Sequence, residues 1–153
     1  MTVINKWVDV LTLSLILTTV AGGATAQNLR NTVIEDDAIS QSLTGQSGDP
    51  AKGAMLIGQR QKSLCLLCHS GPFPDPHLHG TIAPDLTGVG SRLSAGQIRL
   101  RIVDMKRLNP QSIMPSYYVI IENARVAAEW RGKPVLKADE IEDLVAYLET
   151  LKR

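Results

Sequence analysis

The sequence predicts an all-α domain of short helices joined by long loops that wrap a bound group. Three observations carry this expectation. Apolar residues recur at helical spacing towards the C-terminus, and the connections between helical segments are rich in Pro and Gly. The aromatic mass that usually fills a core is scarce, with one Phe, two Trp and three Tyr in 153 residues. A composition of 44% hydrophobic and 20% charged residues fits one globular domain.

The first 26 residues have a different character. Lys6 gives a basic start, LTLSLILTTVAGG an apolar run, and Ala24-Thr25-Ala26 a small-x-small cleavage site, the pattern of a cleaved secretory signal peptide over 1–26. The run is shorter than the roughly 20 apolar residues that a bilayer span needs, so no stable membrane anchor is expected and the mature chain is assigned to the periplasm. Asp9 is atypical of such a segment. Loss of 1–26 removes Lys6 and Asp9 and leaves the formal charge at +1. A near-neutral chain without basic runs lacks the footprint of a nucleic-acid binder.

Residues 27–48 are polar with scattered Val, Ile and Leu, which predicts a loosely held N-terminal arm before a domain at 49–153. Asp49-Pro50 supplies an N-cap and a Pro at the first helical position, opening a helix that is expected to run into Cys65. From Gly71 to Gly90 four prolines and four glycines predict a long loop. Ser94 and Gln97 form a capping box, and Ile98, Ile102 and Met105 mark a helix over about 95–107. An irregular stretch, NPQSIMPSYYV, follows, and residues 122–136 read as a loop or short hairpin. Ile141, Leu144, Val145, Leu148 and Leu151 then repeat at helical spacing, with acids at the start and Lys152-Arg153 at the end.

Both cysteines and all three histidines fall within residues 63–88. Cys65-Leu66-Leu67-Cys68-His69 has the C-x-x-C-H spacing that attaches c-type haem. Two thiols add to the two vinyl groups on one edge of a porphyrin, and two intervening residues match their separation. The adjacent His is thereby tethered beneath the iron as proximal ligand. Haem would also supply the flat apolar mass that the core lacks. Three other readings explain less. A disulfide between Cys65 and Cys68 leaves His69 without a role. A thioredoxin-like pair needs a βαβ context that is missing here. A zinc site from Cys65, Cys68, His77 and His79 has H-x-H where zinc sites space their histidines more widely.

The opposite axial position has five candidates: Met55, Met105, Met114, His77 and His79. Met55 and Met105 sit at helical positions where a methionine is ordinarily core. His77 and His79 lie in the Pro-rich loop within ten residues of His69, and a sharp reversal would be needed to reach the other haem face. Met114 lies in an irregular loop and precedes Pro115, so its thioether can project into a pocket. His69 and Met114 are therefore the expected iron ligands of one haem c, a pair that raises the reduction potential.

With these elements in place, residues from about 50 to 152 resemble the class I cytochromes c: a first helix, C-x-x-C-H, a Pro-containing loop, a Met-Pro loop and a last helix. CLLCHSGPFPDPHLHGTIAPDLTG, LNPQSIMPSYY and WRGKPVLKADEIEDLVAYL, in that order, resemble more narrowly the SoxX family. The resemblance implies a heterodimer with a SoxA-type haem subunit in the SoxAX complex, an L-cysteine S-thiosulfotransferase that oxidatively conjugates thiosulfate to a carrier-protein cysteine. It implies that the catalytic cysteine belongs to the partner, that this chain has no catalytic residue of its own, and that electrons pass to a downstream acceptor cytochrome. It further implies a close contact of Gly53 or Gly58 with Tyr147. An independent soluble electron shuttle is the alternative, whereas a haem peroxidase conflicts with a Met at the substrate position. Tyr117 and Tyr118 are expected either to offer an aromatic surface to the partner or to line the pocket. Lys137 stands where a helix-capping Ser or Thr is more usual.

Overall fold

The computed structural model describes residues 33–120 and 125–153. The predicted signal peptide, residues 27–32 of the arm and residues 121–124 lie outside the described residues. Four α-helices form the frame: α1 (Pro50–Ile57), α2 (Val89–Arg92), α3 (Ala95–Asp104) and α4 (Ala138–Thr150). Single 3-10 turns at Cys65–Leu67, Pro76–Leu78, Met105–Arg107 and Ala128–Trp130 punctuate the loops. Among the described residues there is no strand, only an isolated bridge between Glu35 and Ala38. No helix of the described residues is long and apolar enough to cross a membrane.

α4 forms for the reason its pattern gives. Ile141, Leu144, Val145 and Leu148 are buried along one face, and Glu140 Oε2 accepts from the backbone N–H of Lys137 at 2.9 Å, the half of a capping box that needs no Ser or Thr. α1 packs across α4 at Gly53. A Cβ there would stand 2.0 Å from the Asp143 carbonyl oxygen and 2.7 Å from Tyr147 Cβ, so only Gly permits the crossing. Gly58 makes no such approach: a Cβ there would lie 3.7 Å from the Met55 carbonyl oxygen, an ordinary contact. α3 begins with the expected capping box, Gln97 N–H to Ser94 Oγ at 3.3 Å and Ser94 N–H to Gln97 Oε1 at 3.0 Å, and packs against α4.

Three expectations need correction. α1 stops at Ile57 instead of running into Cys65, because Gly58 caps it and turns follow. Met55 is 64% exposed and is not a core residue, since it falls on the outer face of this shorter helix. The arm, where described, is held tightly instead of loosely. Ile39 is fully buried and its N–H donates to the Gly96 carbonyl at 3.0 Å. Arg99 on α3 donates Nη1 to the Ile39 carbonyl and Nε and Nη2 to the two oxygens of Glu142 on α4, each at 2.7 Å. Leu43 N–H completes the cluster, donating to Glu142 Oε1 at 2.9 Å. This buried ion pair ties arm, α3 and α4 together.

Candidate functional site

A cavity of about 640 Å³ opens between α2, α3, α4, the Cys65 segment and the loop carrying Met114. Its walls are mainly aliphatic, from Ile57, Val89, Ile98, Ile102, Leu136 and Leu144. Cys65, His69 and Met114 line this same space from different segments, and so does Met105. Cys68 is not among its lining residues. It caps the 3-10 turn that begins at Cys65, its N–H donating to the Cys65 carbonyl at 3.2 Å. Both cysteines are free thiols. Burial pushes the Cys65 thiol pKa up, and the thiol donates to the Ser63 carbonyl at 3.5 Å.

The Cys65 segment is anchored at both ends. Ser63 is buried, and its hydroxyl donates to the Ile57 carbonyl at 3.2 Å. The Ser63 carbonyl in turn accepts from the Tyr117 hydroxyl. Tyr117 N–H donates to the Ile102 carbonyl at 3.2 Å, and Tyr117 O accepts from Leu136 N–H at 2.9 Å. One side chain therefore links the segment carrying Cys65 to the loop that follows Met114. Tyr117 and Tyr118 are 3% and 9% exposed, so the expectation that they present an aromatic surface gives way to the other one for Tyr117, which lines the cavity. Burial raises the Tyr117 pKa, with the neighbouring Cys65 and Cys68 adding to it, and keeps the hydroxyl a donor.

The imidazole of His69 is oriented by the backbone. Nδ1 lies 2.7 Å from the Pro84 carbonyl oxygen. A carbonyl only accepts, so Nδ1 carries the proton and Nε2 keeps its lone pair for a ligand. The loop supplying Pro84 runs alongside the Cys65–Ser70 segment through Gly80 N–H to Leu66 O at 2.9 Å, Ala83 N–H to Cys68 O at 3.0 Å and Leu86 N–H to Ser70 O at 2.9 Å. Gly80 makes this possible, because a Cβ there would meet the Leu67 carbonyl oxygen at 2.0 Å. Beside it, Asp85 Oδ2 accepts from Ser70 Oγ and Oδ1 from Thr87 N–H, both at 2.7 Å. These two bonds hold the Asp85 carboxyl at about 2, below the usual carboxylate range.

The remaining histidines stay apart from this cavity. His79 Nε2 lies 2.9 Å from the Pro74 carbonyl oxygen and its ring packs edge-on to Phe73, while His77 is exposed. Among the described residues, no group of three or more His, Cys, Asp or Glu is placed to hold a metal ion, which removes the four-ligand zinc reading. Pro84, Ser70 and Asp85 were not singled out by the motif. A backbone carbonyl has no sequence signature, although a Pro-Asp pair after the C-x-x-C-H loop marks the turn that delivers it.

No protein-family model and no curated protein matches the chain. Among solved structures, the fold is similar to a chain of the crystal structure of SoxXA from P. pantotrophus, at 32% sequence identity and a TM-score of 0.74. The match spans 83% of this chain and 98% of that one. Identity at this level over nearly the whole of that chain, with the all-α class I cytochrome c architecture around one cavity, shows that the protein belongs to the SoxX family.

Proposed function

We propose that this chain is a periplasmic c-type cytochrome, the electron-accepting subunit of a SoxAX complex. Residues 1–26 would be its cleaved export signal, 27–48 its arm and 49–153 its haem domain. The observation that carries the reading is that Cys65, His69 and Met114, all in the expected motifs, line one apolar cavity, with His69 Nδ1 already committed to the Pro84 carbonyl. The donor set fits haem c. Two free thiols at C-x-x-C spacing are available for its vinyl groups. An imidazole with a free Nε2 and a thioether offer the two axial ligands, and the cavity volume lies within the range of cofactor sites. Haem supplies one-electron redox chemistry when bound. The protein's part is to exclude water with aliphatic walls, hold the imidazole tautomer and furnish a thioether that favours the ferrous state.

The partner reading rests on the similarity to SoxXA. Joining thiosulfate to a carrier cysteine forms an S–S bond and releases one proton and two electrons: RSH and S2O3²⁻ give RSSSO3⁻, H⁺ and 2e⁻. Both cysteines of this chain are assigned to haem, so no thiolate remains here to take a sulfane sulfur. The sulfur chemistry then belongs to a SoxA-type haem subunit, and this subunit takes the electrons one at a time and passes them to a downstream acceptor cytochrome. The test is co-expression with a SoxA-type subunit from the same source. Copurification as a heterodimer is expected, with thiosulfate conjugation by the pair and none by this chain alone. A stable monomer that ignores the partner would favour the independent shuttle.

A further inference from the structure

Two side-chain contacts join the same two dipeptides. His69 and Ser70 are adjacent in sequence, and so are Pro84 and Asp85. His69 meets the Pro84 carbonyl at 2.7 Å, and Ser70 Oγ donates to Asp85 Oδ2 at 2.7 Å. The result is a closed ring of four residues in which neither contact can lengthen without disturbing the other. The Pro84–Asp85 peptide unit carries the carbonyl that faces His69. It is held from its far side as well, by Thr87 N–H on Asp85 Oδ1 at 2.7 Å and by Arg92 Nη2 on the Asp85 carbonyl at 3.1 Å. Arg92 also donates Nη1 to the Thr87 carbonyl. The backbone bonds from Ala83 and Leu86 clip the loop on either side of this unit.

We infer that Asp85, acting with Ser70, is a positioning residue for His69, holding the Pro84 carbonyl against the imidazole Nδ1–H and so setting how strongly Nε2 donates to an iron ligated there. The inference rests on the haem reading given above. A strong bond at Nδ1 gives the ring more imidazolate character and favours the ferric state, so loosening it favours the ferrous state. A merely structural role would leave the Nδ1–H exchange and the potential unmoved. The low carboxyl pKa of Asp85 agrees with both of its bonds being made at neutral pH.

The test uses the full chain matured with haem and three variants: Asp85→Ala, Ser70→Ala and Asp85→Asn. The readouts are the reduction potential and the exchange rate of the His69 ring Nδ1–H by NMR in the ferrous protein. Asp85→Ala and Ser70→Ala should both speed that exchange. They should also raise the ferrous-to-ferric ratio at fixed ambient potential by about two- to tenfold, the upper figure being about 59 mV. Asp85→Asn keeps an acceptor for Thr87 N–H and holds Ser70 through the reversed bond, its amide N–H donating to Ser70 Oγ, and should retain wild-type exchange. Unchanged exchange and potential in Asp85→Ala would overturn the inference. So would an Asp85→Asn shift as large as that of Asp85→Ala with Ser70→Ala silent, because charge alone would then be responsible. A wild-type chain that carries no attached haem would overturn the reading beneath, and the inference with it, before any variant is compared.

Discussion

Replacing Glu142 with Ala removes a carboxylate whose side chain is 2% exposed and which accepts from Arg99 Nε, Arg99 Nη2 and Leu43 N–H. The Arg99 side chain, 6% exposed, is left with its charge buried and only the Ile39 carbonyl as partner. Breaking a buried pair from one side costs about 3–5 kcal/mol, chiefly because the surviving charge has no compensation. Set against a total stability of about 5–15 kcal/mol for a domain, this is a large fraction. Urea unfolding followed by far-UV circular dichroism measures it. With a slope of about 1–3 kcal/mol/M, a loss of about 4 kcal/mol lowers the midpoint by at least about 1 M. The double variant Arg99→Met/Glu142→Leu should recover most of the loss, since an apolar replacement removes both charges together. It would leave the Ile39 carbonyl and the Leu43 N–H to find other partners. A cost below about 1 kcal/mol for Glu142→Ala is what an exposed pair gives, and would refute the claim that this cluster secures the arm.

Two further outcomes follow from the site. Met114→Ala in the haem-loaded chain should abolish the weak sulfur-to-iron band at the red end of the oxidised spectrum and lower the potential. Each tenfold loss in relative stability of the reduced form corresponds to about 59 mV, and an unchanged spectrum would move the ligand to Met105, the other methionine that lines the cavity. Asp85 has its pKa lowered from 3.8 to about 2 by the bonds from Ser70 and Thr87. A depressed carboxylate stabilises the fold above its unfolded pKa and loses that contribution as pH falls through its folded value. Stability should therefore carry an acid-sensitive component across that window that Asp85→Asn lacks, measurable by thermal melts from pH 5 down to about pH 2. Identical pH profiles for the two proteins would contradict this account of the loop.

The parts legible in the sequence were those with local causes. α4 and α3 follow from apolar spacing and from the Ser94–Gln97 capping box, both of which are short-range. The C-x-x-C-H motif and the Met-Pro loop pointed to Cys65, His69 and Met114, which the fold brings to one cavity. What escaped depends on tertiary packing. Arg99 and Glu142 look like ordinary helix-surface charges until the arm is laid over them, and Ile39 is one apolar residue in a polar stretch. The sequence leaves Tyr117 between a partner-facing surface and a pocket wall, and only the fold, with its hydroxyl on the Ser63 carbonyl, decides for the wall. Met55 lies inside α1, as a core reading of a helical methionine expects, but on the face that the fold leaves exposed. Pro84 acts through its carbonyl, which every residue possesses, so only the folded loop identifies it.

The central claim is that this chain carries haem covalently on Cys65 and Cys68. The most direct measurement is the intact mass of the full chain, expressed with a c-type maturation system, then denatured and extracted with acid-acetone. The account predicts a coloured polypeptide, heavier by the mass of one haem, with Cys65→Ala or Cys68→Ala weakening retention. A colourless chain of unmodified mass under those conditions would contradict it.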